Sequence, residues 1–547
     1  MLTRASTRRR LPVSLGVLGG LLAILCVASA AVLVVLLRGD RGDDGEGNRI
    51  VYGLTLNPSG LDPHIHVSNE LGIPFFSVYD TLVYRHPQTM EFVPGLAESW
   101  EMAPDGLSWT FTLRRGVTFH DGTPFNAQAV AANLDRIADP DLASGKALAL
   151  LGPYIGYTIV DDSTIRVHLA EPYAPLLDGL SQVYLGMASP AALREYSKNT
   201  YQWHQVGTGP YRLDEVVSGD HITLRRNADY AWGPVFYAEA TGQSVDTIEF
   251  RFFEDAATRS LALESGEVQM IGELLPTDVE LLLGNTQLRV LRVPIPGLPQ
   301  QFFLNVKRGP TDDLAVRQAL LYATNRTEIA DAVFQGQSPV AYGPLTAVTP
   351  FYDPMVATLY PFDPTFAQSL LRGVGYGDSD DDGIWDRDGE PLRLTMVFAS
   401  WNQTPEVAQL IQSEWRDIGI EVELIRVPDF PTLRRYALDG DFHVIAFYDF
   451  GVDASMLNRF YVTDGASNWS GFSDPELDGW LHEAVRQVDA GTRAALYGSA
   501  QQRIMEQAVV LPIRDYVNIN GTTAQLDGVI FSAQGWWPLL RNLQLRP

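Results

Sequence analysis

The sequence predicts an α/β protein built in lobes and set behind one apolar N-terminal segment. Three observations point there. Short runs of alternating apolar and polar residues, read as strands, are interleaved with runs at helical spacing along most of the 547 residues. A chain of that length buries more than one core. Only one stretch, residues 11–37, is uncharged and long enough to cross a bilayer.

That stretch comes first. Arg4, Arg8, Arg9 and Arg10 precede it and Arg38-Gly39-Asp40 ends it. As a helix it would run roughly 40 Å, more than the ~30 Å hydrocarbon core. The leading positive charge places residues 1–10 in the cytoplasm and the bulk of the chain outside. Ala28-Ser29-Ala30 would serve as a signal cleavage site, but the apolar run continues through Val32 to Leu37, which favours an uncleaved anchor over a signal. Cys26 is the single cysteine, and the Leu25 before it is too large for a lipidation signal. Residues 38–48 are polar and glycine-rich, a linker. Folded structure is expected from Arg49.

The elements then follow in order. Ser108–Leu113 and Thr164–Leu169 alternate as half-buried strands, with a helical run at 127–137 between them. Residues 312–322 and 406–418 have helical spacing, and Gly419 stops the second. Residues 392–399, 420–427 and 442–447 read as short strands.

Composition narrows the function. Sixty-six acids face 40 basic residues, a formal charge of −26. Residues 1–48 hold six arginines and four acids, so the rest is more acidic still. A nucleic-acid partner, whose phosphates need a basic face, is excluded. One cysteine excludes internal disulfides, cysteine zinc sites and iron–sulfur clusters. No H-E-x-x-H, Walker loop, G-x-S-x-G or G-x-G-x-x-G pattern occurs. Paired carboxylates leave a hydrolase open, but a chain without a catalytic signature reads first as a binding protein, not an enzyme.

One block of residues is distinctive. Leu96-Ala97-Glu98-Ser99-Trp100 leads to Pro104-Asp105-Gly106-Leu107-Ser108-Trp109 and then to Gly116-Val117-Thr118-Phe119-His120-Asp121-Gly122-Thr123-Pro124-Phe125. Gly207-Thr208-Gly209-Pro210-Tyr211, Val316-Arg317-Gln318-Ala319-Leu320 and Ser470-Gly471-Phe472-Ser473-Asp474-Pro475 follow in order. This pattern resembles family 5 of the bacterial extracellular solute-binding proteins, the peptide- and nickel-type binding subunits of ABC importers. The resemblance implies a two-lobed periplasmic-binding-protein-like fold of type II. Lobe one would be 49–299 plus 515–547, with an extra subdomain at about 83–215, and lobe two 300–514. It also implies a monomer that closes on a small peptide or similar solute and docks on a membrane permease.

By the same resemblance, the ligand's ammonium group would pair with Asp449, or else Asp453, in the stretch Ala446-Phe447-Tyr448-Asp449-Phe450-Gly451-Val452-Asp453. Trp401, Tyr516 and Phe447 are the candidate pocket aromatics. A tryptophan expected before Asp449 and a proline expected after Asp453 are both missing. Nickel–chelate or sugar capture, a carboxylate-dependent hydrolase and a peptide sensor are the alternative readings.

No resident cofactor is expected, apart from a candidate calcium loop. Asp378, Asp380, Asp382 and Asp386 fall at positions 1, 3, 5 and 9 of an EF-hand-like run with Gly383 at position 6. Position 12 is Gly389, not the usual glutamate, so a solvated hairpin loop is the competing reading. His64 and His66 would share a side of an extended segment, as a nickel or zinc pair would, but two ligands do not make a site.

Overall fold

Arg49–Leu54, with the sequence RIVYGL, forms a strand in the middle of a seven-stranded mixed sheet. It pairs in parallel with Thr247–Phe252 and with Met270–Ile271. The computed structural model describes residues 48–55, 58, 60–237, 242–253 and 255–546. The basic tail, the apolar segment with Cys26, and the linker up to Gly47 lie outside the described residues. No helix among the described residues is long and apolar enough to cross a membrane.

The seven strands run in the order Leu288–Pro294, Val517–Thr523, Met270–Ile271, Arg49–Leu54, Thr247–Phe252, His221–Arg226, Tyr211–Val217. A second sheet has five strands: Glu421–Val427, Arg393–Ala399, Val444–Phe447, Gln300–Leu304 and Val510–Arg514. Only two stretches link the sheets, residues 295–299 outward and 515–516 back. The apolar interior divides at the same points. One core draws on residues 298–513, and the other two on residues 50–288 and 519–543. The part around the five-stranded sheet is called lobe two below, and the part around the seven-stranded sheet lobe one.

The first crossing is pinned by Gly297, whose φ is +133°. A Cβ there would lie 2.5 Å from the Asp449 carbonyl oxygen, so only glycine lets the two backbones meet. Gly297 N–H donates to Thr349 Oγ1 (2.8 Å), and its carbonyl accepts from Thr346 N–H (2.8 Å).

Lobe one carries an antiparallel four-stranded sheet, in the order Ala97–Met102, Ser108–Leu113, Thr164–Leu169, Tyr154–Asp161. The two alternating runs are strands with the bounds read from sequence. The helix between them, Ala127–Ala138, is capped by Asn126, whose side chain accepts from Ala129 N–H. In lobe two the run at 312–322 begins as helix only at Leu314, because the Asp313 carboxylate caps it. The run at 406–418 is helix from Thr404, since Pro405 suits a first turn. It buries Val407, Ala408, Ile411 and Trp415 against the five-stranded sheet, and Trp415 Nε1 donates to Thr324 Oγ1 at 2.9 Å.

Candidate functional site

Between the lobes lies a cavity of about 510 Å³, within the roughly 300–1,000 Å³ that encloses a small ligand. Both lobes wall it. Lobe one supplies Thr55, Glu70, Arg259, Glu273, Asn518 and Trp536; lobe two and the return crossing supply Trp401, Asn402, Tyr448, Phe450, Arg514 and Tyr516.

The lobe-two wall is aromatic. Strand Arg393–Ala399 ends in a turn that carries Trp401, where Asn402 and Gln403 both hold positive φ (52° and 56°). Gln300 Nε2 steadies this turn by donating to the Asn402 carbonyl (3.3 Å) and to Thr404 Oγ1 (3.0 Å). Asn402 Nδ2 donates to the Tyr448 hydroxyl. Tyr448 and Tyr516 rings lie 4.5 Å apart, Phe450 and Tyr516 5.1 Å, and Phe450 and Trp536 5.5 Å, so rings run unbroken from lobe two onto lobe one. The Arg514 guanidinium lies between the rings of Phe334 (4.0 Å) and Tyr516 (4.1 Å). It donates to Gln300 Oε1 (2.8 Å) and Ser338 Oγ (2.9 Å), which fixes a positive charge in the wall.

The lobe-one wall is charged. Arg259 projects from helix Ala256–Glu264 and is only 2% exposed. Its Nη2 donates to the backbone carbonyl of Glu273 (2.8 Å), while Nε and Nη1 have no hydrogen-bond partner among the described residues. Glu273 follows strand Met270–Ile271 with φ +52°. That conformation costs an ordinary residue about 1 kcal/mol or more. Burial pushes its carboxyl up to about 7, against the pull of Arg259 and with a further push from Glu70.

Trp401 and Tyr516, expected from sequence, therefore line the cavity; Phe447, Asp449 and Asp453 do not. Phe447 faces the opposite side of its strand and packs on Trp469 (4.6 Å), Phe430 and Phe460. Asp449 is paired with Arg459 at 3.0 Å, and its Oδ1 accepts from Phe450 N–H. Lys146 of lobe one lies close by; burial, with Arg459 adding to it, pushes its ammonium down to about 8 against the pull of Asp449.

Asp453 is buried against Arg493 (2.8 and 3.1 Å). Facing this pair from lobe one is another, Arg85 and Asp178, 3.0 Å apart. Burial pushes Asp178 up. Against the same push, the guanidiniums of Arg493 and Arg85 hold Asp453 low. Beside the four charges, Ala174 N–H donates to the Val485 carbonyl across the lobes (2.7 Å), and Arg486 pairs with Glu171 (2.5 Å).

In the acidic loop, Asp378, Asp380 and Asp382 bring oxygens within 4.8 Å of one another at the surface. Asp386 is turned away, accepting from Ser379 Oγ (2.5 Å) and N–H (3.2 Å). Gly383 and Ile384 N–H groups already occupy Asp378 and Asp382, as in a self-satisfied turn. His64 is buried, with Nε2 on the Gly186 carbonyl (2.9 Å) and Nδ1 on Arg136 (2.8 Å).

Comparison with known proteins gives this two-lobed cavity a family. The sequence profile described as Bacterial extracellular solute-binding proteins, family 5 Middle, matches residues 91–471. The chain belongs to that family. A glutathione-binding protein GsiB of Escherichia coli is 29% identical over 491 residues, covering 85% of this chain and 88% of its own. Heme-binding protein A of Haemophilus influenzae is 28% identical over 517 residues, covering 89% and 91%. Among solved structures, NikA from Brucella suis in complex with Fe(III)-EDTA superposes with a TM-score of 0.80 at 25% identity, covering 91% of this chain and all of its own. Within the family frame, sequence reasoning passed over Glu70, Arg259, Glu273, Arg514 and Trp536. Arg514 stood at the expected boundary between lobe two and the returning segment of lobe one; Glu273, in Met270-Ile271-Gly272-Glu273-Leu274, carried no local signal at all.

Proposed function

We propose that this solute-binding protein is a membrane-tethered receptor of an ABC importer, which encloses a short peptide or similar zwitterionic solute and passes it on unaltered. The observation that carries the reading is the shared cavity: aromatic planes and a fixed cation from one lobe, acids and a second guanidinium from the other. A ligand touching both walls binds the shut form more tightly than the open one and shifts the population toward it. Moving that balance from 1:99 to 99:1 takes about 5.5 kcal/mol of differential affinity, which a few charge-assisted bonds and buried rings supply. The cavity volume favours a short peptide over a long one. Glutathione, named for one relative, is a small peptide with an ammonium and two carboxylates, and it suits a wall bearing both signs. Tethering through residues 11–37 would hold the receptor near its permease and raise their effective concentration.

The test is native mass spectrometry of the full-length chain in detergent, incubated with glutathione and a mixture of di- and tripeptides. The expected outcome is one intact ligand per chain, with a smaller radius of gyration under detergent-matched scattering. Cleaved peptide would turn the reading toward a hydrolase. An unchanged radius with every bound ligand would overturn closure.

A further inference from the structure

We infer that Glu273, from lobe one, is the residue that receives the cationic amine of the ligand. The inference rests on the reading of the cavity as a site for a small zwitterion and assigns its charge partner. Three features of Glu273 converge. Its backbone is held at φ +52°, a conformation that a glutamate adopts only when its surroundings impose it, and such outliers gather at ligand sites. Its carboxylate makes no hydrogen bond and no ion pair among the described residues, although it borders the cavity. Arg259, whose charge only partly offsets the burial of that carboxyl, gives its hydrogen bond to the Glu273 backbone carbonyl and not to the carboxylate. Glu70 borders the same space, also without a partner for its carboxylate among the described residues, so two acids face a cavity with no cation of their own bound to either. An incoming ammonium relieves that repulsion.

The same arrangement sets Asp449 aside. It already has a guanidinium at 3.0 Å and does not line the cavity. Glu273 meets the ligand from the lobe opposite to Asp449, so the amine would be anchored on lobe one before lobe two closes its aromatic wall. The ligand end nearer lobe two then faces Arg514, a fixed cation suited to a carboxylate.

The experiment is calorimetry on the full-length chain in detergent with a defined panel. It comprises glutathione, Ala-Ala and Ala-Ala-Ala, the N-acetylated form of each, and the non-peptide amine 1,5-diaminopentane. Wild type should bind free-amine peptides and lose roughly 30-fold or more on N-acetylation, the usual consequence of removing one partner of a buried charge pair. In Glu273→Gln, the free-amine peptides should weaken by a similar factor, and acetylation should change affinity by less than about threefold. Near-ultraviolet circular dichroism and the thermal midpoint check that the variant is folded; the wild-type comparison of free and acetylated peptides needs no variant. Equal binding of acetylated and free peptides overturns the role of Glu273 and leaves the peptide reading standing. Binding of the diamine that is lost in Glu273→Gln, with no binding of peptides, overturns the peptide reading and supports Glu273. No binding across the panel overturns both.

Discussion

Asp449 and Glu273 carry the same charge and differ in what already surrounds them. Asp449 is compensated by Arg459 and its own turn, so Asp449→Asn should change affinity for free-amine ligands by less than about threefold, an effect within the range of a partly exposed pair. Titration calorimetry beside Glu273→Gln reads the contrast. Glu273 also sets a pH dependence. Burial pushes its carboxyl up to about 7, and the groups facing it are Glu70, Arg259, Tyr52 and Tyr448. An ammonium ligand prefers the ionised form, so affinity should be level above about pH 7 and fall below it, by up to tenfold per unit, until the carboxyl of the complex protonates. For folding the sign is the reverse: the bound proton stabilises the fold below the ordinary glutamate value, and that stabilisation is lost as pH rises through about 7. Binding measured from pH 5 to 8 tests the first, and a flat profile removes Glu273 from the contact. The aromatic walls were legible in the sequence to within one residue. The stretch Phe447-Tyr448-Asp449-Phe450 was recognised, but side chains on extended chain alternate. Tyr448 and Phe450 enter the cavity while Phe447 and Asp449 face away, and nothing local in the sequence fixes that parity.

Elements were read more securely than side chains, because periodicity and stop signals are local while a cavity wall is assembled from distant segments. Gly419 shows why. It ends helix Thr404–Arg416 at φ +91°, and a Cβ there would lie 2.2 Å from Trp385 Cδ1. Two physical demands, a left-handed backbone and a ring packed on the α-carbon, leave room only for glycine. Gly419→Ala should therefore destabilise lobe two by about 2–4 kcal/mol, combining the left-handed penalty with overpacking, and lower its thermal midpoint while lobe one melts as before. Scanning calorimetry with both transitions resolved checks this; a single unshifted profile would show that the Trp385 ring yields freely. Glu273 stands at the other extreme. Its positive φ comes just past strand Met270–Ile271, where its carbonyl meets Arg259, a tertiary circumstance that its neighbours in sequence do not announce.

At the scale of the whole molecule, the contacts that join the lobes divide into those a ligand feels directly and those it feels only through closure. Arg85 and Asp178 on lobe one meet Asp453 and Arg493 on lobe two away from the cavity lining. All four side chains are less than a tenth exposed. The nearby Arg486–Glu171 pair is about half exposed, and pairs of that kind contribute only about 0–1 kcal/mol. The buried four differ. When the lobes part, water can solvate the Arg85–Asp178 pair, whereas in the shut form each guanidinium depends on a carboxylate for compensation. Asp178→Asn would leave Arg85 facing Arg493 without its own counter-charge, a cost that falls on the shut state and not on the open one. Because apparent affinity scales with the fraction of molecules able to shut, every ligand should weaken by one common factor, roughly tenfold for about 1.4 kcal/mol. Glu273→Gln, in contrast, should discriminate among ligands by their amine. Measuring a free-amine peptide and its acetylated form on Asp178→Asn separates the two: equal factors, with a larger radius of gyration at the same subsaturating ligand concentration, place the cluster in closure, while unequal factors place it in contact with the ligand.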